Sequence, residues 1–182
     1  YPKFVKRLEK SGIVVVSFQP ATIEEMYLYW RILGVLTGHG ARAEEMVRRF
    51  KETVSGIRSI TGKLSARKNV YFEAIHSKMK TFAPESMAIF TLETAGGINV
   101  ASDAKSLRKT NIAAYGKERI LSHSRSIDVY LAQYGAMNRP SVSLIKNEPG
   151  FDIIEAVKDN QIFIIDEMIV SRPTMRLLEG VY

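Results

Sequence analysis

Apolar residues alternate along the chain between short β-branched runs and longer stretches with helical spacing. The runs at 13–18, 69–75, 127–132 and 161–165 are typical of strands buried on both faces, as in a parallel sheet. The stretches between them carry apolar residues every three or four positions, which predicts helices. This alternation predicts an α/β fold: a parallel-sheet three-layer lobe with helices on both faces.

The stretch at 22–37 is predicted to be a long helix that is apolar on nearly every side. Thr22 and Glu25 have capping-box spacing, and Gly38 ends the helix. One apolar stripe contains Ile23, Met26, Tyr27, Trp30 and Leu33, and the opposite side contains Leu28, Ile32, Val35 and Leu36. We therefore expect burial on several sides, as for a strut between two lobes.

The start of the chain predicts the end of a helix followed directly by a strand. Residues 2–11 have a helical pattern that stops at Ser11 and Gly12, and the apolar run 13–18 follows. A strand that opens so soon after a helix suggests that the chain starts within a domain. A further helix is predicted at 41–59.

Composition narrows the classes of protein to consider. The 182 residues are 46% apolar, enough for a packed core, and the absence of cysteine excludes disulfides and thiolate chemistry. No apolar run approaches the roughly 18 residues of a membrane span. The net charge of +7 is compatible with nucleic acid, an anionic membrane surface or an anionic ligand. Because the basic residues are dispersed, a solvated basic surface is favoured over nucleic-acid binding.

Gly96 and Gly97 do not form a phosphate-binding loop, because they follow an apolar helical stretch at 86–95. Glycines there are typical of a helix C-cap, whereas nucleotide loops lie between a strand and a helix start. Asp166 and Glu167 are neighbours on an extended segment, so their side chains point apart. No catalytic group, metal site or cofactor is predicted.

Polar residues follow the two central predicted strands, where ligands gather in open parallel sheets. Glu73 and His76 lie at the end of the first strand, and Tyr134 and Asn138 follow the second. For Tyr134 and Asn138, an ordinary surface loop without a ligand role is an equally good interpretation. Arg172 precedes Pro173 at a predicted helix start, a position at which an arginine can bind an anionic group of a ligand. The alternative is that Arg172 forms an ion pair with Glu167.

Several motifs resemble, in their order along the chain, the helical-backbone (class III) substrate-binding proteins of ABC transporters, of the cobalamin and ferric-siderophore type. The first are residues 13–20, the helix at 22–37 with its Gly34 and Gly38, and the helix at 41–57. The loop at 93–101 matches the family's glycine-glycine-x-asparagine pattern. Residues 149–165 and 171–176 match two later motifs, with Met175 in place of the usual proline.

The resemblance implies a two-lobed protein whose ligand lies in the cleft between the lobes. Residues 1–21 would end the N-terminal lobe, 22–38 would be the lobe-connecting helix, and 39–182 would form the C-terminal α/β lobe. The N-terminal lobe would precede residue 1. The expected function is capture of an iron chelate, such as a ferric siderophore or a haem-like ligand, and delivery to an ABC permease. The expected location is periplasmic or extracytoplasmic, either soluble or lipid-anchored.

The resemblance also assigns roles to single residues. Glu73, His76, Tyr134, Asn138 and Arg172 become candidates for the ligand cleft. A further candidate, Glu118, corresponds to the acidic residue that docks on the permease, unless it simply pairs with a neighbouring arginine.

Two alternatives remain open at this point. Within the family the ligand could be cobalamin. Outside it, the chain could be a cytosolic α/β nucleotide-binding enzyme. The sequence also departs from the family pattern at 105–109.

Overall fold

The computed structural model describes residues 2–106 and 110–182, so part of the divergent segment at 105–109 lies outside the described residues. Its helices are α1 Pro2–Lys10, α2 Ile23–Leu36, α3 Gly40–Thr61, α4 Met87–Thr94, α5 Lys117–Ser122, α6 Val142–Lys146, α7 Glu155–Lys158 and α8 Glu167–Val170. Its strands are β1 Asn69–Ile75, β2 Lys80–Phe82, β3 Ile98–Asn99, β4 Lys105–Ser106, β5 Ile112–Ala114, β6 Val129–Tyr134 and β7 Ile162–Asp166. Short 3-10 turns occupy His76–Lys78, Phe151–Ile153 and Met175–Leu178.

The described strands form one mixed sheet in the order β4-β5-β2-β1-β6-β7, with β3 beside the start of β1. Its centre is parallel, as predicted, because β6 pairs in parallel with both β1 and β7. The prediction of a wholly parallel sheet needs correction, because β2 returns antiparallel to β1 and β5 runs antiparallel to β2. The strands on this side of β1, which are β2, β5 and β4, have at most three residues each. Such short strands are too short to show a periodic pattern in the sequence.

Helices cover both faces of the sheet, which confirms the predicted three-layer α/β class. On one face, Tyr71 and Tyr130 pack with Ile120 of α5, Ile145 of α6 and Val157 of α7. On the other face, the cluster joins strand residues such as Phe72 to α4 and α8 through Ile89 and Val170. The alternation of side chains along β1 and β6 therefore supplies both cores.

The helix α2 begins with the predicted capping box. The Thr22 hydroxyl accepts a hydrogen bond from the Glu25 amide, and the Glu25 carboxylate accepts one from the Thr22 amide. A third cluster holds α2 against α3 through the rings of Tyr27, Trp30 and Phe50. The two helices cross closely, since a Cβ on Gly34 would lie 2.4 Å from the Ala43 Cβ.

The helix α2 was predicted to be buried on several sides, but in this chain it is buried on one side only. Met26, Tyr27 and Trp30 are buried, whereas Leu28, Val35 and Leu36 are more than half exposed. The predicted strand at 13–18 also does not form: this segment pairs with no strand, and Val14 is 87% exposed. An extended run has no stable backbone partners unless another strand lies beside it, and none does among the described residues.

Glycines end two of the predicted elements as expected. Gly12 follows α1 with a φ of 76°, and Gly96 follows α4 with a φ of 93°. These are left-handed backbone angles that favour glycine, so Gly96 is a helix-ending residue and not part of a phosphate loop. The helix predicted to start at Pro173 is instead a short 3-10 helix that begins at Met175, with Thr174 as its cap. Arg172 therefore does not lie at a helix N-terminus.

Candidate functional site

A cavity of about 440 Å³ lies between residues 18–21 and the loops that follow β6 and β7. Its apolar wall includes Phe18, Pro20, Met137 and Pro173, and its polar wall includes Gln133, Glu167, Ser171 and Arg172. The start of β5 closes another side. Most protein sites for small molecules enclose about 300–1,000 Å³ and combine apolar walls with a few polar groups. The cavity has that size and that composition.

Arg172 lines this cavity and also forms the ion pair with Glu167 that was its alternative expectation. Its guanidinium is about half exposed and donates to Oε1 of Glu167, a residue that is only 8% exposed. The other carboxylate oxygen accepts a hydrogen bond of 3.2 Å from the Ala136 amide. A guanidinium has five N–H donors, so this arrangement leaves donors for an anionic group of a ligand.

Gln133 and Ser171 form a second polar unit in the cavity wall. Gln133 is 3% exposed, and its Oε1 accepts a hydrogen bond from the Ser171 hydroxyl. Neither residue was among the candidates predicted from the sequence, because those candidates were sought beyond the ends of the strands. Strand alternation was the available signal: Gln133 and Tyr134 point to opposite faces of β6.

Glu73, His76 and Asn138 are brought together as predicted, but beneath the loops. All three are at most 6% exposed. The Nδ1 atom of His76 lies 2.7 Å from Oε2 of Glu73, and the Asn138 amide donates to Oε1 of Glu73 at 3.2 Å. Asn138 also accepts a hydrogen bond of 3.0 Å from the His76 backbone amide. These contacts join the end of β1 to the loop after β6.

The same carboxylate accepts a third side-chain hydrogen bond. The Tyr130 hydroxyl donates to Oε2 of Glu73 at 2.5 Å. The hydrogen bond to Glu73 raises the pKa of His76 above its usual range, although partial desolvation opposes this. Burial, reinforced by the negative charge of Glu73, raises the pKa of Tyr130 well above its ordinary value. Glu73 is therefore a buried acceptor surrounded by donors.

The predicted cleft residues thus separate into two groups. Only Arg172 lines the cavity; Glu73, His76, Tyr134 and Asn138 do not. Tyr134 is 48% exposed at the end of β6, where a ligand could reach it. For Glu73, His76 and Asn138 the burial favours a role in holding two loops together. Direct ligand contact stays a prediction for all five residues, and the exposed side chains of Tyr134 and Arg172 are the ones that a ligand reaches without movement of the loops.

Glu118 lies on the first turn of the short helix α5 and is exposed. The alternative expectation, an ion pair with a neighbouring arginine, is not seen among the described residues, because Arg119 pairs with Asp103. Glu118 is therefore available to an external cation.

The described residues contain no group of three or more His, Cys, Asp or Glu side chains that could hold a metal ion. None of the helices in the described part of the chain is long and apolar enough to cross a membrane.

The chain belongs to the periplasmic binding protein family, because the model of that family matches residues 6–168. The resemblance inferred from the motifs is therefore confirmed. The family consists of substrate-binding transport proteins, so the prediction that the chain is not an enzyme is confirmed, and a nucleotide-binding enzyme is ruled out. The family also implies a location outside the cytoplasm. No curated protein sequence matches the chain significantly.

Solved structures of binding proteins share the fold. A possible iron-binding (periplasmic solute-binding) protein from Staphylococcus epidermidis is 28% identical with a TM-score of 0.80, over 99% of this chain and 68% of its own. A periplasmic haem-binding protein from Roseiflexus has 16% identity and a TM-score of 0.78, over 100% of this chain and 68% of its own. A protein of an ABC-type Fe³⁺-hydroxamate transport system from Saccharomonospora viridis has 21% identity and a TM-score of 0.70, over 96% and 61% of the two chains.

The chain spans only part of such proteins. Its share of their length ranges from 48%, for a periplasmic solute-binding protein from Veillonella parvula, to 71%, for a haem-complexed protein from Staphylococcus aureus.

Proposed function

We propose that the chain is part of the substrate-binding component of an ABC importer that captures an iron chelate, either a ferric siderophore or a haem-like ligand, and delivers it to a permease. The observation that carries this proposal is the cavity beside Arg172, in a chain of the periplasmic binding protein family. The 28% identical structure is described as a possible iron-binding protein, which supports the ligand class.

The chemistry of the cavity favours an anionic chelate. Glu167 positions Arg172, and the net charge of +7 attracts anions at long range. Gln133 and Ser171 supply polar contacts, while Phe18, Met137 and the two prolines supply apolar surface. A chelate that combines negative groups with apolar or aromatic surface, as haem does through its carboxylates and its macrocycle, fits this mixture of contacts.

The cavity would be one half of the ligand cleft. We propose that residues 1–21 end an N-terminal lobe, that 22–38 connect the lobes and that 39–182 form the C-terminal lobe. Exposed apolar residues support this division: Val14 is 87% exposed, and Val35 and Leu36 of α2 are 74% and 61% exposed. Large exposed apolar areas often mark interaction surfaces, and a second lobe would cover these residues.

Delivery would use Glu118. The exposed carboxylate on α5 could pair with an arginine of the permease, because no partner within the described residues occupies it. The finer location, either soluble outside the membrane or lipid-anchored, belongs to the same proposal.

The test is thermal unfolding of this chain, and of a longer form with its upstream coding sequence restored, against ferric siderophores, haem, cobalamin and molybdate. A ligand that binds only the folded state stabilises it by mass action and so raises the Tm. At a free ligand concentration of 100 times Kd, the free energy of unfolding rises by about 2.7 kcal/mol. We expect a shift with a ferric siderophore or haem in the longer form. A shift with cobalamin alone would change the ligand class, and no shift in either form would reject the proposal.

A matched pair of variants locates the site. Arg172→Gln removes the guanidinium from the cavity. Arg176→Gln removes a guanidinium that lies outside the cavity, where it forms an exposed ion pair with Glu179. Arg172→Gln should weaken binding of an anionic chelate at least tenfold, and Arg176→Gln should leave it unchanged. Equal affinities in the two variants would show that the ligand does not use this cavity.

A further inference from the structure

A line of charged side chains runs from α5 into the core of the sheet. Lys117, at the start of α5, lies 2.7 Å from Oε1 of Glu148. The other oxygen of Glu148 lies 3.6 Å from Nε2 of His76, whose Nδ1 contacts Glu73. With His76 protonated, the charges alternate in sign from Lys117 to Glu73, so each contact is attractive.

The line becomes more buried toward its inner end. The side chains of Lys117 and Glu148 are 30% and 20% exposed, those of His76 and Glu73 only 8% and 1%. The inner carboxylate is fixed by Tyr130 and Asn138, and the ring of Phe151 packs against His76 and lies under Lys117. Electrostatic contacts in such surroundings are screened less than on a free surface.

One contact in this line depends on a single proton. The Nε2 atom of His76 is buried and has no hydrogen-bond partner within the described residues. If the imidazole loses a proton, the remaining one stays on Nδ1 because Glu73 accepts from that atom at 2.7 Å. Nε2 then presents a lone pair to the Glu148 carboxylate, and the attraction between them is lost. Glu148 keeps only Lys117.

We propose that Lys117, Glu148 and His76 are positioning residues that fix the first turn of α5, with the proton on His76 as the connecting element. The second half of α5 is held independently, since Ile120 is fully buried. Only the turn that carries Lys117 and Glu118 therefore responds to His76. The consequence for transport rests on the proposed docking role of Glu118: the orientation of that carboxylate becomes dependent on pH.

Nuclear magnetic resonance of this chain tests the link without ligand or permease. His123 is the C-cap of α5 and carries a second imidazole beside the helix, so the measurements use the His123→Gln background. We expect the backbone amides of residues 117–119 to shift with the same midpoint as the His76 ring, and the amides of 142–146 on α6 to move less. The proposal would be overturned if the chemical shifts of the amides of residues 117–119 did not change with pH at the midpoint of the His76 ring.

Glu148→Gln is the decisive variant, because it keeps the shape of the side chain and removes its charge. His76 should still titrate, while the response of residues 117–119 should fall at least threefold. Glu155→Gln, which alters an exposed pair with Lys158, is the matched control and should change neither. An undiminished response in Glu148→Gln would refute the link. If residues 117–119 respond to His76 but a Glu118→Ala variant transports normally, the docking role of Glu118 is rejected and the link to His76 is retained.

Discussion

The backbone of Gly135 lies directly against the carboxylate of Glu167. A Cβ atom placed on residue 135 would fall 1.9 Å from Oε2 and 2.3 Å from Cδ of that side chain. The same carboxylate accepts the Ala136 amide and holds Arg172. The glycine therefore allows the loop after β6 to close on the group that orients the guanidinium in the cavity.

Gly135→Ala should displace the Glu167 carboxylate and release Arg172. Overpacking at a rigid position costs about 1–3 kcal/mol, and part of this loss is the hydrogen bond from Ala136. In a chain of this size the Tm should fall by roughly 2–4 °C for each kcal/mol. Circular dichroism during heating measures the change.

Gly56→Ala is the control for this substitution. Gly56 lies inside α3, and a Cβ there would meet no atom within 4 Å. Alanine is favoured over glycine inside a helix by about 1 kcal/mol, so this variant should be more stable. If Gly135→Ala is equally stabilising, the close contact with Glu167 is not significant in solution.

Gly34 should be equally intolerant, because α2 and α3 cross at this residue. Gly34→Ala gains helix propensity but brings its Cβ to 2.4 Å from that of Ala43. We expect a net loss of about 1–2 kcal/mol. The double variant with Ala43→Gly restores the space and should recover stability relative to Ala43→Gly alone. Urea unfolding of the four proteins measures the coupling, and simple additivity would argue against the close crossing.

The fold follows from the sequence wherever a local pattern is long. Predominantly apolar segments of five to seven residues predicted β1, β6 and β7, and the pair Thr22 and Glu25 predicted the start of α2. The short strand β2 could not be predicted, because three residues carry no period and its register depends on β1. The apolar run at 13–18 predicted a strand that needs a neighbour, and a sequence pattern cannot supply one.

The site was less predictable than the fold. The rule that ligands lie beyond strand ends led to Glu73, His76 and Asn138, which are buried under the loops. The cavity is instead built by residues far apart in the chain, such as Phe18, Gln133 and Ser171. Their proximity results from packing of the segment before α2 against the sheet, and no local motif encodes it. Arg172 was found because its motif resembles the family pattern.

Trp30 connects α2 to the segment that carries Arg172. Its indole Nε1 donates a hydrogen bond of 2.9 Å to the Pro173 carbonyl. Trp30→Phe keeps most of the buried ring surface and removes this donor, so the chain should lose about 1–2 kcal/mol. Tyr29→Phe, on the same helix, is the comparison and should cost less than about 0.5 kcal/mol. Chemical unfolding followed by circular dichroism distinguishes them; equal losses would show that the indole hydrogen bond contributes nothing.

His76 should make stability depend on pH in a defined direction. Its pKa in the folded chain is raised above the ordinary value of 6.5, chiefly by its hydrogen bond with Glu73. A group whose pKa is raised by folding stabilises fully below its unfolded pKa and loses that contribution as pH rises through the folded pKa. The difference in unfolding free energy between the native chain and His76→Gln should therefore be largest below about pH 6.5 and decline above it.

His39→Gln provides the control for this pH dependence. His39 is exposed in the turn between α2 and α3, away from buried carboxylates. No ion pair between His39 and a carboxylate is seen in the described part of the chain, so His39→Gln should not reproduce the decline expected for His76→Gln, although it removes the contact with the Thr37 carbonyl. A His76→Gln difference that is constant with pH, or that grows as pH rises, would contradict the protonated His76 inferred from its contacts with Glu73 and Glu148.

The exposed run before α2 gives a direct test of the two-lobe proposal. Val14 is 87% exposed, so Val14→Asp should change the stability of this chain by less than about 0.5 kcal/mol. In a longer form with the N-terminal lobe restored, residue 14 would lie in a buried strand. The same substitution should then cost about 2–4 kcal/mol or prevent folding, because it buries an unpaired charge. Val14→Ala, a milder change, should cost about 1–2 kcal/mol in the longer form only. Equal effects in the two forms would show that residues 13–18 are not covered by another lobe.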